Sequence, residues 1–98
     1  MNRDLDAKIA TRFAHIQLPT DHDWMTTPHC NCVPRFSRDL IQAIRATVYD
    51  WEGDFELRRQ NGHWRATFFK PSYEYEAWDY DPAVAVCEAA LKTLIDTK

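Results

Sequence analysis

Apolar positions along the chain fall into periodic blocks separated by polar or proline-bearing gaps. In the first block, Leu5, Ile9, Phe13 and Ile16 recur at helical spacing, while Lys8, Arg12 and His15 lie largely off that line. The pattern predicts an amphipathic helix over about residues 4–16, with Asp4 or Asn2 to cap its start and Pro19 beyond its end. A second stripe, Leu40, Ile41, Ile44 and Val48, follows Ser37-Arg38-Asp39. Ser37 reads as an N-cap and Asp39 as an acid in the first turn, so this helix is expected over about 38–49, with Gly53 closing the region.

The period then changes from helical to two. In DFELRRQNGHWRATFFK, Asn61-Gly62 stands between two alternating runs, the favoured two-residue hairpin turn, because both positions tolerate positive φ. A two-residue turn also sets the register: Gln60 opposite His63, Arg59 opposite Trp64, Leu57 opposite Ala66 and Phe55 opposite Phe68. One face then carries Phe55, Leu57, Trp64, Ala66 and Phe68, with Arg59 near the turn. The other carries Glu56, Arg58, Arg65 and Thr67. The first is the expected core face. After Pro71-Ser72, YEYEAWD alternates as a third strand, and which of Tyr75 or Trp78 points inward stays open. Strands are thus expected at about 54–60, 63–70 and 73–79. Asp81-Pro82 signals a cap and first turn, and Val84, Cys87, Leu91, Leu94 and Ile95 mark a last helix over about 82–96. The order is α-α-β-β-β-α: a single α+β domain over 1–98, with helices layered on an antiparallel meander as an α/β sandwich.

Residues 18–36 do not fit any period. They hold three prolines and many small polar groups, and a connection longer than about 12–15 residues is uncommon unless it is functional or mobile. Trp24, Met25, Val33 and Phe36 are the residues expected to pin it to the body.

Composition narrows the classes without naming a job. Hydrophobic residues make up 45% and charged residues 28%, a globular profile rather than a disordered one. A net charge of −3 argues mildly against phosphate-driven nucleic-acid binding, which calls for a basic stripe. No run approaches the roughly 18 apolar residues that span a bilayer. The opening MNRDLDAK has no signal-peptide stretch, and three cysteines make a poor disulfide framework, so a reducing cytosol is the expected compartment.

Three ordered motifs carry a resemblance. F-S-R-D-L-I-Q-A-I-R at 36–45, G-H-W-R-A-T-F at 62–68 and P-A-V-A-V-C-E-A-A-L-K at 82–92, preceded by L-D-A-K-I-A-T-R-F at 5–13, resemble the phage ABA sandwich domain. That is a family of small proteins of tailed bacteriophages and prophages. The resemblance covers about Leu5 to Ile95 and implies helices on both sides of the sheet, a phage or prophage origin and residence in a bacterial host. It implies no catalytic or binding residues. HDWMTTPHCNCVPRF lies outside the family pattern.

That departing stretch holds His22, His29, Cys30 and Cys32, ligand types enough for tetrahedral zinc. The spacing is unfavourable, since Cys30-x-Cys32 is tighter than the usual C-x₂₋₄-C and His29 adjoins Cys30. A zinc-stabilised domain is therefore the alternative, a Cys30–Cys32 disulfide or redox pair is disfavoured because C-x-C is not the C-x-x-C of redox enzymes, and an ordinary connecting loop is the preferred reading. Cys87 sits at an inward helix position and reads as a small buried hydrophobe. No nucleophile, base and orienter assemble in sequence, so no enzyme is expected. The remaining feature is YEYEAWDYDP. Its Glu74, Tyr75, Glu76, Trp78 and Asp79 form an acidic-aromatic strip, either an edge protected by charge or a protein contact. The expectation is a non-enzymatic accessory protein that binds a host or phage protein, with nucleic-acid binding and homodimerisation through the sheet edge as alternatives.

Overall fold

The computed structural model describes residues 3–21, 23–25 and 32–94. Its elements are α1 (Arg3–Arg12), α2 (Leu40–Thr47), β1 (Asp54–Gln60), β2 (His63–Lys70), β3 (Tyr73–Asp79) and α3 (Pro82–Thr93). The α+β order is the expected one, and the three strand ranges coincide with those predicted.

The Asn61-Gly62 turn explains that agreement. Asn61 stands at φ 54 and Gly62 at φ 79, the paired positive φ of a type I′ turn. The register follows: Phe55 pairs with Phe68, Leu57 with Ala66, Arg59 with Trp64 and Gln60 with His63. β3 adds to the other side of β2, with Phe68 opposite Tyr75 and Ala66 opposite Ala77, giving the sheet order β1-β2-β3. Pro71-Ser72 is also a two-residue turn, closing on the Lys70–Tyr73 pair. That turn settles the open question of β3: Tyr75 is 7% exposed and Trp78 44%. Gly53, just before β1, has a backbone reason, since a Cβ there would collide with the Phe69 carbonyl.

Helix α3 is the hub. Ala85, Val86, Cys87, Ala89 and Ala90 are fully buried, so the helix is covered on most sides, and it packs against β2, β3, α1 and α2. Its alanines allow close approach, and Asp81 caps it, the carboxylate accepting from the Ala83 N–H at 2.9 Å. Phe68 fills the space between sheet and helices, with Trp51 edge-on at 5.4 Å and Phe55 at 4.8 Å. The buried apolar residues of the sheet (Ala66, Phe68, Tyr75 and Ala77) all belong to one face by register.

Two helix boundaries differ from expectation. α1 ends at Arg12 rather than near Ile16. His15 takes φ 56, a left-handed conformation in which His is enriched among non-glycine residues, and the Ile16 N–H returns to the Ala10 carbonyl at 2.8 Å. α2 is capped by Asp39, not Ser37: the Asp39 carboxylate accepts from the Gln42 N–H. Ser37 is buried, and its own N–H donates to Asp6 Oδ1 at 2.7 Å. A carboxylate thirty-one residues upstream thus holds the Ser37 amide, and the cap falls to Asp39. In α3, the described helix stops at Thr93, and Ile95 lies outside the described residues.

Candidate functional site

Asp6 and Arg3 form a buried node. Asp6 is fully buried and Arg3 7% exposed, with Arg3 Nη1 donating to Asp6 Oδ2 at 2.6 Å. Arg3 Nη2 also donates to the Val33 carbonyl, and its guanidinium lies 4.7 Å from the ring centre of Trp24. The node thus ties α1 to two described parts of the long connection, around Trp24 and around Val33. Trp24, Val33 and Phe36 are buried there as expected, whereas Met25 is 40% exposed. Nearby, Cys87 Sγ donates to the Phe36 carbonyl at 3.4 Å. Burial first, then the carboxylates of Asp6, Asp81 and Glu88, pushes this thiol up to about 12. A thiol held neutral in a closed interior is a packing element, as the sequence suggested. Arg3 and Asp6 were legible only as a helix start, because charged residues are rarely buried unless paired.

Of the proposed metal ligands, His22, His29 and Cys30 lie outside the described residues. Cys32 is exposed and disulfide-bonded, against the expectation that these cysteines make no disulfide framework, and a sulfur so bonded offers no thiolate to a metal. Among the described residues, no group of three or more His, Cys, Asp or Glu side chains is placed to hold a metal ion.

The predicted strip on β3 divides in two. Tyr75 faces the core and is removed from the surface, a correction that follows from the two-residue turn before it. Asp79 Oδ1 accepts from the Asp81 N–H at 2.9 Å, so its carboxylate shapes the turn into α3. Glu74, Glu76 and Trp78 remain, at alternate positions on the outer face of the sheet. Beside them the register builds cross-strand rows: Glu56–Thr67–Glu76, Arg58–Arg65–Trp78 and Gln60–His63. Arg65 is the hinge of this surface. It reaches Glu56 at 3.0 Å and Glu76 at 3.8 Å, and lies 5.7 Å from the ring centre of Trp78. Arg58 joins Glu56 at 3.5 Å, so both arginines of the face expected from the register lean on one glutamate. The His63 ring lies 4.2 Å centre to centre from the ring of Tyr80, tilted against it, and Tyr80 is 75% exposed.

The electrostatics of this face decide between classes of ligand. Aromatic and cationic groups do share it, as base stacking requires. Yet Asp54, Glu56, Glu74 and Glu76 lie on the same face as Arg58 and Arg65, and Arg65 already has two carboxylate partners. Phosphates would meet a surplus of acid. No helix among the described residues is long and apolar enough to cross a membrane.

No family model matches the chain, and no curated protein matches it. The fold is similar to that in a 2.0 Å crystal structure of a phage protein from Bacillus cereus ATCC 14579. The TM-score is 0.76 at 18% sequence identity, with 97% of this chain and 88% of that one covered, a likeness of fold.

Proposed function

We propose that this chain is a small accessory protein of phage or prophage origin that acts in the bacterial cytoplasm by holding another protein, not by catalysis. The sequence resemblance to the phage ABA sandwich domain and the fold shared with a phage protein support the origin. The observation that carries the binding reading is the outer face of β3. Glu74, Glu76 and the 44%-exposed Trp78 stand in one row there, and Tyr73 and Tyr80 are 58% and 75% exposed at the two ends. Exposed Tyr and Trp beside charge are the usual anchors of a protein contact. Two side chains with nucleophilic chemistry are out of reach of any substrate. Ser37 and Cys87 are sealed in the interior, Ser37 giving its N–H to Asp6 and Cys87 its thiol proton to Phe36.

Capture from bacterial lysate tests the reading. Immobilised wild type should retain a protein that the Glu74→Lys, Glu76→Lys, Trp78→Ala variant loses while keeping its fold. Equal retention by both proteins, or by neither, refutes the β3 surface as the contact.

A further inference from the structure

We propose that the open edge of β3 takes an extended peptide with lysine or arginine at alternate positions, added as a fourth strand. This rests on the protein-binding reading above and specifies its partner and its geometry.

The edge follows from the turn. Across a two-residue hairpin loop the flanking residues form the closing hydrogen-bonded pair, here Lys70 and Tyr73. Alternation then makes Phe68–Tyr75, Ala66–Ala77 and Trp64–Asp79 the bonded pairs of β2 and β3. Glu74, Glu76 and Trp78 therefore aim their N–H and C=O groups away from β2, toward the side where the sheet order ends. An independent contact supports this orientation. Lys92 of α3 sends its Nζ to the Glu76 carbonyl at 2.6 Å, which leaves that oxygen accepting a cationic donor at the centre of the edge. Lys92 is an exposed side chain on a flexible stem, a bolt that an incoming strand can displace.

Charge selects the occupant. The side chains of Glu74 and Glu76 are exposed on the outer face, and among the described residues Glu74 has no ion-pair partner. Residues of an added strand directly opposite them would lie about 4.5–5.5 Å away between Cβ atoms, where opposite charges attract and like charges repel. Lysine or arginine at alternate positions meets that requirement. A second copy pairing β3 with β3 would bring glutamates against glutamates, so the same acids that favour a basic strand oppose self-association. Trp78 extends the row with an aromatic face, a surface on which a cation already rests in the form of Arg65.

The test uses a nine-residue peptide alternating Lys and Val against one alternating Glu and Val, read by amide shifts and hydrogen exchange on labelled protein. The Lys peptide should bind and protect the Glu74, Glu76 and Trp78 amides, and the Glu peptide should not. Glu76→Pro removes an edge N–H while proline remains tolerable at a solvent-facing edge, so affinity should fall about ten-fold with the inner-face resonances unchanged. Glu74→Gln with Glu76→Gln should weaken binding about five-fold, and more at low salt than high. Lys92→Met should tighten it. Three results overturn the proposal: equal binding of the two peptides or of neither, binding indifferent to Glu76→Pro, or a Lys92→Met protein that dimerises instead of binding peptide. If lysate capture still depends on Glu74, Glu76 and Trp78 in any of these cases, strand addition is wrong and the contact surface stands.

Discussion

The two faces of the sheet are built from the same three strands and differ in almost every physical respect. On the inner face, Ala66, Phe68, Tyr75 and Ala77 are at most 7% exposed and touch helices and rings. On the outer face, Glu56, Arg58, Arg65, Glu76 and Trp78 hold one another in a lattice of ion pairs and a cation–π contact. Burial stabilises the first at about 25 cal/mol per Å², whereas exposed ion pairs contribute at most about 1 kcal/mol each. The inner face thus pays for folding, and the outer face is free to be chosen for what it meets. The surface proposed for a partner lies on the second.

The sharpest way to break this comparison is a pair of substitutions on neighbouring strands, one on each face of the sheet. Phe68 is 1% exposed and contacts Trp51 and Phe55, so Phe68→Ala should cost about 4 kcal/mol by lost transfer energy and a cavity. Urea denaturation measures it; a loss below about 1 kcal/mol would mean that the core is not centred there. Glu76→Gln, on the outer face, should change stability by less than about 0.5 kcal/mol in the same assay, because its carboxylate is half exposed and 3.8 Å from Arg65.

The buried ion pair sits between these extremes, being charged yet interior. Asp6→Ala would leave Arg3 without its carboxylate and the Ser37 N–H without its acceptor. Removing one partner of a buried pair costs more than the pair itself contributes, and about 3 kcal/mol is expected. Because the node anchors Trp24 and Val33, the loss should be accompanied by increased proteolysis in the connection between α1 and α2.

Legibility divides along the same line. The strands could be read to the residue because their register is local: Asn61-Gly62 dictates one pairing and Pro71-Ser72 the other. Tyr75 remained open only because Pro71-Ser72 was not taken as a two-residue turn. The start of α2 was misplaced for a different reason. Ser37 and Asp39 both have a local claim to the cap; Asp39 takes it, while the Ser37 N–H goes to Asp6, a partner that only the tertiary fold brings near. Arg3 and Asp6 were unreadable on the same ground, as was Lys92 on the Glu76 carbonyl. Three of the five strip residues, Glu74, Glu76 and Trp78, share the outer face because alternation is a local property; Asp79 differs because its turn hydrogen bond is set by the path into α3.

Cys87 adds a pH dependence to the interior. Its folded value near 12 lies above the ordinary 9.0, so the folded state keeps the thiol proton where the unfolded state releases it. Stability from this group is intact below pH 9 and is lost as pH rises from about 9 toward 12. At pH 10 the loss should be about 1.4 kcal/mol, one pH unit into that window. A Cys87→Ala protein should lack this slope, so the difference between the two denaturation curves against pH isolates it. Parallel curves would show that the thiol is not sealed.

Thr67 crosses the boundary between the two faces and gives the finest test. By register it belongs to the outer face, between Glu56 and Glu76, yet it is 2% exposed. Neighbouring side chains roof it over, and its hydroxyl finds no hydrogen-bond partner among the described residues. A buried polar group without a partner costs free energy, while a methyl of the same shape at that position does not. Thr67→Val, which keeps the β-branched shape a strand favours, should therefore stabilise the fold by about 1 kcal/mol, the opposite sign from Phe68→Ala beside it. A destabilised Thr67→Val would mean that the hydroxyl has a partner and that the lattice of Glu56, Arg65 and Glu76 depends on it. In that case the outer face is an organised polar network whose geometry a ligand must match, and substitutions at Glu56 and Glu76 should no longer be additive with Thr67→Val.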